Sequence, residues 1–356
     1  MSELAALTEE LVSIPSHEDE TAAGDAIEEW LRAETDADVT RDGAGNVIAS
    51  RGTGSGSLAL VGHHDVVPPD ASQLDGDDYV VYEEDGRIYG RGTADMKGAV
   101  AACMHAFRDA DPSCELLFAS FVEEETGGHG AKYAIENGFV PDHAIVAEGS
   151  TNYSKEGVTD VVVAHRGRRG STVTARGAAA HASEPEAGKN AVYGACDAVG
   201  VIRGLDAPVA EVLGQDLSGS IVVTGIKGGT AKNVIPAECS LTVDERTVPG
   251  AHIDLGAVEG VDSVEWAVDD EVPPMACDDE SFAETVLEAA EDAQDSDPEL
   301  VTKPHATDAG WLAEAGTTCV VAGASEPGQA HTMTESASID VLERCYRLYR
   351  GTAERL

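Results

Sequence analysis

The spacing of apolar residues predicts alternating helices and strands over the first 150 residues. Leucines at positions 4, 7 and 11 follow the helical period, and residues 21–32 carry a second apolar stripe of this kind. Six further segments continue the pattern, as strands at 45–50, 57–62, 115–121 and 144–147 and as helices at 97–110 and 128–137. Strand and helix in repeated succession indicate an α/β layer with a largely parallel sheet. The glycine-rich residues 52–56 between two strands predict a hairpin turn, because no Lys-Ser/Thr pair follows as in a phosphate loop.

The pattern changes at about residue 170. Strands are predicted at 171–176, 220–227, 238–246 and 261–268. A helix is predicted at 188–203. After Pro273 and Pro274 the first pattern returns, with a helix at 279–293, a strand at 317–321 and a helix at 337–356. We therefore expect an α/β domain with a mixed, largely parallel sheet flanked by helices, made of residues 1–169 and 273–356. A smaller α+β domain, residues 170–272, is inserted into it.

Composition narrows the class of protein. The chain has 356 residues, 66 of them acidic and 23 basic, and its formal net charge is −43. This sign excludes a nucleic-acid-binding protein. Acidic residues are spread along the whole chain, so their repulsion destabilises a compact state unless salt screens it, which is typical of proteins from extreme halophiles. No apolar run reaches the length of a membrane helix and no signal-peptide pattern is found, so we expect a cytoplasmic protein.

Residues that can bind metals directly follow the predicted strands. His63 follows the strand at 57–62, Glu124 and Glu125 follow 115–121, and Glu148 follows 144–147. In open α/β sheets, ligands bind at the carboxyl ends of the strands. Two cysteine-based alternatives, a disulfide framework and a structural zinc knuckle, are disfavoured because the seven cysteines are scattered and form no C-x-x-C pair.

Two more candidates complete the set. Asp95 lies in a glycine-bracketed loop before a helix, and His331 lies near the end of the chain. Two histidines and three carboxylates suit two Zn²⁺ ions that share a bridging carboxylate. Such a centre also needs a carboxylate that is not a ligand, to move the proton of the attacking water. Because neighbouring residues on an extended segment point in opposite directions, we expect Glu124 and Glu125 to have different roles.

The motifs around these residues resemble the dinuclear zinc deacylases and peptidases that include succinyl-diaminopimelate desuccinylase, acetylornithine deacetylase, aminoacylase and related carboxypeptidases. The similarity rests on five segments in the family's order: GHHDVVP from 62, GRGTADMKG from 90, EETGG from 124, AEGS from 147 and AHTMTE from 330. The resemblance implies one zinc ion on His63, Asp95 and Glu148, and another on Asp95, Glu125 and His331, with Co²⁺ able to substitute. It further implies that Asp65 orients His63 and that Glu124 is the general acid/base.

The inserted segment resembles the family's lid and dimerisation domain. The motif GAAAHASEP from 177 implies that His181 reaches the active site of the other subunit of a homodimer and stabilises the oxyanion. By the same resemblance, Asn233 of NVIP contacts the substrate. Arg168 and Arg169 of GRRGS, together with Arg246 of the DER segment, are candidates to bind substrate carboxylates. For Arg168 and Arg169 two alternatives remain open: both contact the substrate, or one contacts it and the other supports the fold.

Several functions are compatible with these motifs. Hydrolysis of the amide bond of an N-acyl amino acid comes first, with N-succinyl-diaminopimelate desuccinylase of lysine biosynthesis as the preferred activity. Acetylornithine deacetylase, an acetyl-lysine or acetylornithine deacylase, and a dipeptidase or carboxypeptidase remain alternatives. A non-catalytic metal-binding scaffold is the alternative from another class, although it would not need Glu124, His181 or Asn233. A serine hydrolase is excluded because the chain has no G-x-S-x-G motif.

Overall fold

The computed structural model describes residues 2–356, which form eight α-helices and twenty strands. The helices are α1 (Glu3–Ser13), α2 (Thr21–Glu34), α3 (Gly98–Asp109), α4 (His129–Glu136), α5 (Ala191–Ile202), α6 (Glu280–Asp292), α7 (Ala309–Glu314) and α8 (Ile339–Ala353). The first ten strands are β1 (Asp38–Arg41), β2 (Val47–Arg51), β3 (Ser57–His63), β4 (Leu74–Asp75), β5 (Asp78–Tyr79), β6 (Tyr82–Glu84), β7 (Arg87–Tyr89), β8 (Glu115–Phe121), β9 (His143–Val146) and β10 (Val161–His165). The others are β11 (Arg168–Arg176), β12 (Val209–Val212), β13 (Gln215–Ser218), β14 (Ser220–Gly228), β15 (Glu238–Arg246), β16 (Val264–Val272), β17 (Met275–Ala276), β18 (Leu300–Lys303), β19 (Thr318–Val321) and β20 (Ser336–Ser338).

A nine-stranded mixed sheet organises most of the chain. Its strand order is β1-β2-β8-β3-β9-β19-β10-β17, and β18 pairs with β10 outside this path. Strands β8, β3, β9 and β19 run parallel to one another, as β18 does to β10, whereas the remaining pairs are antiparallel. The predicted α/β class with a mixed, helix-flanked sheet is confirmed. Parallel pairing is concentrated in the centre of the sheet and is less extensive than the sequence suggested.

Helices cover both faces of this sheet. On one face α3 lies between the sheet and helices α1 and α8, and its ten residues from Gly98 to Phe107 are all buried. Small side chains, mainly alanine, allow a helix in this position to approach its neighbours closely. Helices α4 and α7 pack on the other face, around Phe121 and Leu312. The two cores hold the central strands rigidly, so the residues at the strand ends have fixed positions.

A separate antiparallel sheet of four strands has the order β14-β15-β11-β16 and packs against α5. The chain leaves the large sheet after β10 and returns to it at β17, which places the smaller unit between them in sequence. The predicted division into residues 1–169 with 273–356 and residues 170–272 remains a proposal about how the chain forms domains. The β12–β13 hairpin lies within the second range but packs on β18, and its Val212 and Leu217 join the core of the large sheet.

The glycine-rich residues 52–56 do not form a hairpin turn. Strands β2 and β3 both pair with β8, which lies between them, so the segment must cross the end of β8. The backbone N–H of Glu115 donates to the carbonyl of Gly56 at this crossing. Among the described residues, no helix combines the length and apolar character that a membrane crossing needs.

Candidate metal centre and active site

The site lies where the central parallel strands end. Strand β3 ends at His63, the chain leaving β8 reaches Glu124 and Glu125, and the chain leaving β9 reaches Glu148. Parallel strands place their carboxyl ends at one edge of a sheet, which is where ligands bind in such folds. The four side chains therefore meet as the strand pattern predicted.

Asp95 joins the two histidines of the site. Its Oδ1 lies 3.2 Å from Nε2 of His63, and its Oδ2 lies 3.2 Å from Nε2 of His331. On either side, His63 Nε2 is 3.5 Å from Oε1 of Glu148, and His331 Nε2 is 2.9 Å from Oε1 of Glu125. The five predicted ligands thus form one continuous cluster with Asp95 at its centre, the arrangement expected of a bridging carboxylate.

The donor atoms of this cluster fit metal ions. In two overlapping groups, His63 with Glu124 and Glu148 and His63 with Asp95 and Glu125, the possible ligand atoms lie within 4.8 Å of one another. Neither group coincides with a ligand set that the resemblance implies, and the first includes Glu124, which is not one of the five predicted ligands. Imidazole nitrogen and carboxylate oxygen are ligands that Zn²⁺ and related divalent ions accept. Four carboxylates concentrated in one place repel one another strongly, and divalent cations relieve that repulsion.

The electrostatics distinguish the members of the cluster. Burial raises the pKa of Glu124 well above its ordinary value, and nearby carboxylates add to the effect. In contrast, hydrogen bonds to Asp95 and Glu125 raise the pKa of His331 to about 10. Within residues 2–356 no side-chain hydrogen bond engages the Glu124 carboxyl group, whereas the carboxyl groups of Asp95, Glu125 and Glu148 each have a hydrogen-bond partner.

Glu124 and Glu125 do not lie on an extended segment, which corrects the prediction based on alternating directions. They belong to a tight turn, in which Glu123 has a φ of 53° and the Gly128 N–H donates to the Glu123 carbonyl. Because a turn does not alternate its side chains as a strand does, both carboxylates reach the same site.

Asp65 lies where it can orient His63. Its Oδ1 is 3.2 Å from His63 Nδ1, and its backbone carbonyl is 3.0 Å from the same nitrogen. Its other carboxylate oxygen accepts a hydrogen bond of 3.0 Å from the backbone N–H of Glu125. Asp65 therefore contacts the ring of one proposed ligand, His63, and the backbone of another, Glu125.

A buried ion pair that the sequence reading missed supports the Asp95 loop. One carboxylate oxygen of Glu335 accepts hydrogen bonds from the backbone N–H groups of Ala94 and Asp95, at 3.0 and 3.1 Å. The other accepts from Nη1 of Arg91 at 2.5 Å, and both side chains are almost fully buried. Glu335 thus fixes the backbone that presents the central ligand.

Lys303 is a second residue that was missed. It ends β18, and its ammonium donates to Oε2 of Glu148 at 3.3 Å and to the carbonyl of Gly149 at 2.8 Å. Burial acts to lower the pKa of Lys303, but Glu148, Tyr153 and Asp95 together outweigh burial and raise that pKa above its ordinary value. The lysine is therefore charged at neutral pH.

Two cavities adjoin the cluster, and both are lined by Glu124, Glu125 and His305. The inner cavity, of about 320 Å³, also contains Asp95, Glu148, Lys303 and His331 in its wall. The outer cavity, of about 640 Å³, extends to Arg168, Arg246 and Asp308. His305, which no motif marked, is the histidine common to both cavities.

The two predicted arginine neighbours have different environments. Arg168 is 44% exposed and lines the outer cavity, where it pairs with Asp244 and Asp270 at 3.2 and 2.9 Å. Arg169 is buried, and it donates to Glu245 at 2.8 Å and to the carbonyl of Ile253 at 2.9 Å. Because successive residues of a strand face opposite sides, only Arg168 faces the cavity. The structure therefore favours the alternative in which Arg168 faces the substrate and Arg169 supports the fold, and it does not place Arg169 among the substrate-binding residues.

Arg246 lines the outer cavity and donates to Asp244 through Nε at 2.8 Å. The remaining two candidates lie elsewhere. His181 and Asn233 are exposed, and the N–H of Ala182 donates to the Asn233 carbonyl, so they occupy one surface of the smaller unit. Neither lines the inner or the outer cavity within the described chain. The described residues of this chain therefore do not bring them to the metal-ligand cluster.

Comparison with known proteins agrees with this site. Residues 59–355 match peptidase family M20/M25/M40. The aminopeptidase PepT from Bacillus cereus has a similar structure, with 20% identity, a TM-score of 0.79, and coverage of 99% of this chain and 97% of that one. A tripeptidase from Staphylococcus aureus shows 21% identity, a TM-score of 0.79 and the same coverage.

The YXEP protein of Bacillus subtilis, described as a dinuclear metal-binding peptidase of family M20, has 15% identity and a TM-score of 0.73 over 99% of this chain and 97% of that one. At these identities the structural likeness shows the fold, whereas the sequence match extends over most of the chain. The protein belongs to peptidase family M20/M25/M40, and it has the mixed α/β fold of the metallopeptidases and hydrolases of that family.

Proposed function

We propose that this protein uses two metal ions to hydrolyse an amide bond in a small N-acyl amino acid. The observation that carries the proposal is the continuous cluster of His63, Asp95, Glu125, Glu148 and His331 beside the half-buried Glu124, at the junction of two cavities. A metal-binding scaffold would need the ligands but no additional carboxyl group in the cavity wall. Glu124 therefore favours catalysis over metal storage.

The chemistry follows from the positions of the side chains. Two divalent ions, for which we propose Zn²⁺ with Co²⁺ as a substitute, would polarise the substrate carbonyl and acidify water. His63, Asp95 and Glu148 would hold one ion, and Asp95, Glu125 and His331 the other. Glu124 would take a proton from the attacking water and deliver it to the nitrogen of the leaving amine. In the metal-free protein burial raises the pKa of this carboxyl group, the direction that favours uptake of a proton.

For the substrate we propose N-succinyl-diaminopimelate, with acetylornithine and acetyl-lysine as the alternatives. The guanidinium groups of Arg168 and Arg246 in the outer cavity support a substrate with a carboxylate, because guanidinium binds carboxylates through two hydrogen bonds. In this structure both arginines pair with Asp244. A substrate carboxylate would therefore replace or share an existing acidic partner.

Hydrolysis of a small peptide is a second candidate, favoured by a different observation. Asp269, Asp270 and Glu271 also line the outer cavity, and this acidic wall suits the free ammonium group of a peptide N-terminus. Proteins of similar structure include an aminopeptidase and a tripeptidase. The same acidic wall would accommodate the free side-chain ammonium of an acylated diamino acid.

We infer that the active enzyme is a homodimer formed through the smaller unit. In support, His181 and Asn233 are exposed on this unit and outside both cavities, as expected of residues that act on a neighbouring subunit. The edge strand β14 also exposes two large apolar side chains, Val222 at 54% and Ile226 at 58%. Unpaired edge strands with exposed apolar residues commonly pair with another chain.

A substrate panel tests the proposal. The protein loaded with Zn²⁺ or Co²⁺ would be assayed in molar KCl against N-succinyl-diaminopimelate, acetylornithine, acetyl-lysine, dipeptides and tripeptides. We expect hydrolysis of an N-acyl amino acid, loss of activity with a chelator, and recovery on addition of metal. Hydrolysis that persists unchanged in the chelated, metal-free protein would contradict the proposal.

A further inference from the structure

A charged lysine lies inside the inner cavity, next to the proposed metal ligands. The Lys303 side chain is only 6% exposed, and it lines this cavity together with Tyr153 and Ser325. A buried ammonium is costly unless acceptors surround it, so its position demands an explanation. Pairing with Glu148 gives only a part of that explanation.

The hydrogen bonds of Lys303 leave one donor free. Within residues 2–356 its Nζ donates to the Glu148 carboxylate and to the Gly149 carbonyl, whereas an ammonium has three N–H groups. Both acceptors belong to the segment that follows β9, so they hold the ammonium in a fixed position at the end of β18. A ligand in the inner cavity therefore meets a preorganised, positively charged donor.

The acidic groups of the inner cavity belong to the proposed metal site or to another ion pair. Three of its carboxylates, Asp95, Glu125 and Glu148, belong to the metal-ligand cluster, and a fourth, Glu124, lies beside it. The fifth, Glu326, pairs with Arg87 at 3.3 Å. Once metal ions neutralise the cluster, Lys303 provides a cation that can attract an anionic group of the substrate.

We propose that Lys303 binds a carboxylate of the substrate in the inner cavity and thereby selects acidic N-acyl amino acids. This proposal rests on the proposed function. Arg168 and Arg246 line only the outer cavity, so a second carboxylate of the same substrate has a separate site. A substrate with one carboxylate on the acyl group and another on the amino acid matches both sites.

Binding measurements test this role without turnover. The probe is N-succinyl-L-ornithine, compared with two derivatives in which one or the other carboxylate is a carboxamide. Calorimetry would use the metal-loaded Glu124→Ala protein with Lys303, with Lys303→Met, and with the exposed Lys155→Met as the matched control. The Glu124→Ala background is chosen so that the probe is bound but not hydrolysed. A failure of the proposed hydrolase activity would therefore appear in the substrate panel, whereas a failure of the proposed role of Lys303 would appear in these binding measurements.

We expect one of the two carboxamide replacements to weaken binding to the protein that retains Lys303 by about 10- to 100-fold. In Lys303→Met the same change from carboxylate to carboxamide has no effect, because the ammonium that bound the carboxylate is missing. Lys155→Met behaves like the parent. Lys303→Arg, which keeps the charge, retains part of the discrimination. Two results would overturn the proposal. In the first, the parent and Lys303→Met discriminate equally between the probe and its carboxamides. In the second, Lys303→Met binds all three probes equally more weakly and loses one metal ion, which would mean that Lys303 only holds Glu148.

Discussion

Replacement of Glu335 by Gln tests how the central ligand Asp95 is held. The carboxylate accepts three hydrogen bonds, from Ala94, Asp95 and Arg91, and its side chain has no exposed surface. A glutamine oxygen can still accept from the two backbone N–H groups. Its NH₂ group then faces Arg91, so the buried guanidinium loses its countercharge. Breaking a buried ion pair in this way costs about 3–5 kcal/mol of the free energy of unfolding.

The assay is urea unfolding of the metal-free protein in molar KCl, followed by metal titration of the folded protein. A matched control is Glu354→Gln, which removes a half-exposed helical pair with Arg350 and should cost no more than about 0.5 kcal/mol. We also expect the metal affinity of Glu335→Gln to fall by about 10- to 100-fold, because a neutral amide oxygen holds the Ala94 and Asp95 backbone N–H groups less strongly than a carboxylate does. A loss of stability equal to that of the control, with unchanged metal affinity, would refute this reasoning.

Three further predictions concern salt, assembly and pH. With a net charge of −43, the protein should unfold reversibly on dialysis from molar KCl into dilute buffer, and circular dichroism that stays unchanged would contradict the halophilic character that we propose. If His181 acts on the neighbouring subunit, random mixing of inactive Glu124→Ala and His181→Ala subunits should restore about a quarter of wild-type activity, whereas no recovery would argue against shared sites. Burial lowers the pKa of His165 from 6.5 to about 4, so its neutral form stabilises the fold above pH 6.5. Up to about 3 kcal/mol should be lost as the pH falls from 6.5 to 4. The metal-free His165→Gln protein should lose this part of the pH dependence, and an unchanged dependence would exclude His165 as its source.

The strand-end residues were predictable because their positions follow from local patterns. Short apolar runs located the ends of β3, β8 and β9, and the rule for parallel sheets then placed His63, Glu124 and Glu148 together. Asp95 and His331 lie in loops with no such pattern, and only the resemblance of their motifs marked them. The structure brings both to the same cluster.

The residues that were missed or wrongly placed depend on tertiary contacts. Lys303 could have been found if the short apolar run of β18 had been recognised as a strand ending at the site. Nothing local marks Glu335 as buried in a chain with 66 acidic residues, since its environment is made by the distant Arg91. Arg169 was assigned by its motif, although the alternation along β11 excludes it from the cavity that Arg168 faces.

The central claim is that Glu124 transfers the proton while other residues hold two metal ions. The most direct test measures kcat and metal content together for Glu124→Ala, with Glu123→Ala as the control from the same turn. The account predicts that kcat falls by at least about 100-fold while two metal ions per chain remain bound, and that Glu123→Ala keeps both kcat and metal. Full activity of Glu124→Ala, or loss of a metal ion with this substitution, would contradict the assignment of Glu124 as the acid/base rather than a ligand.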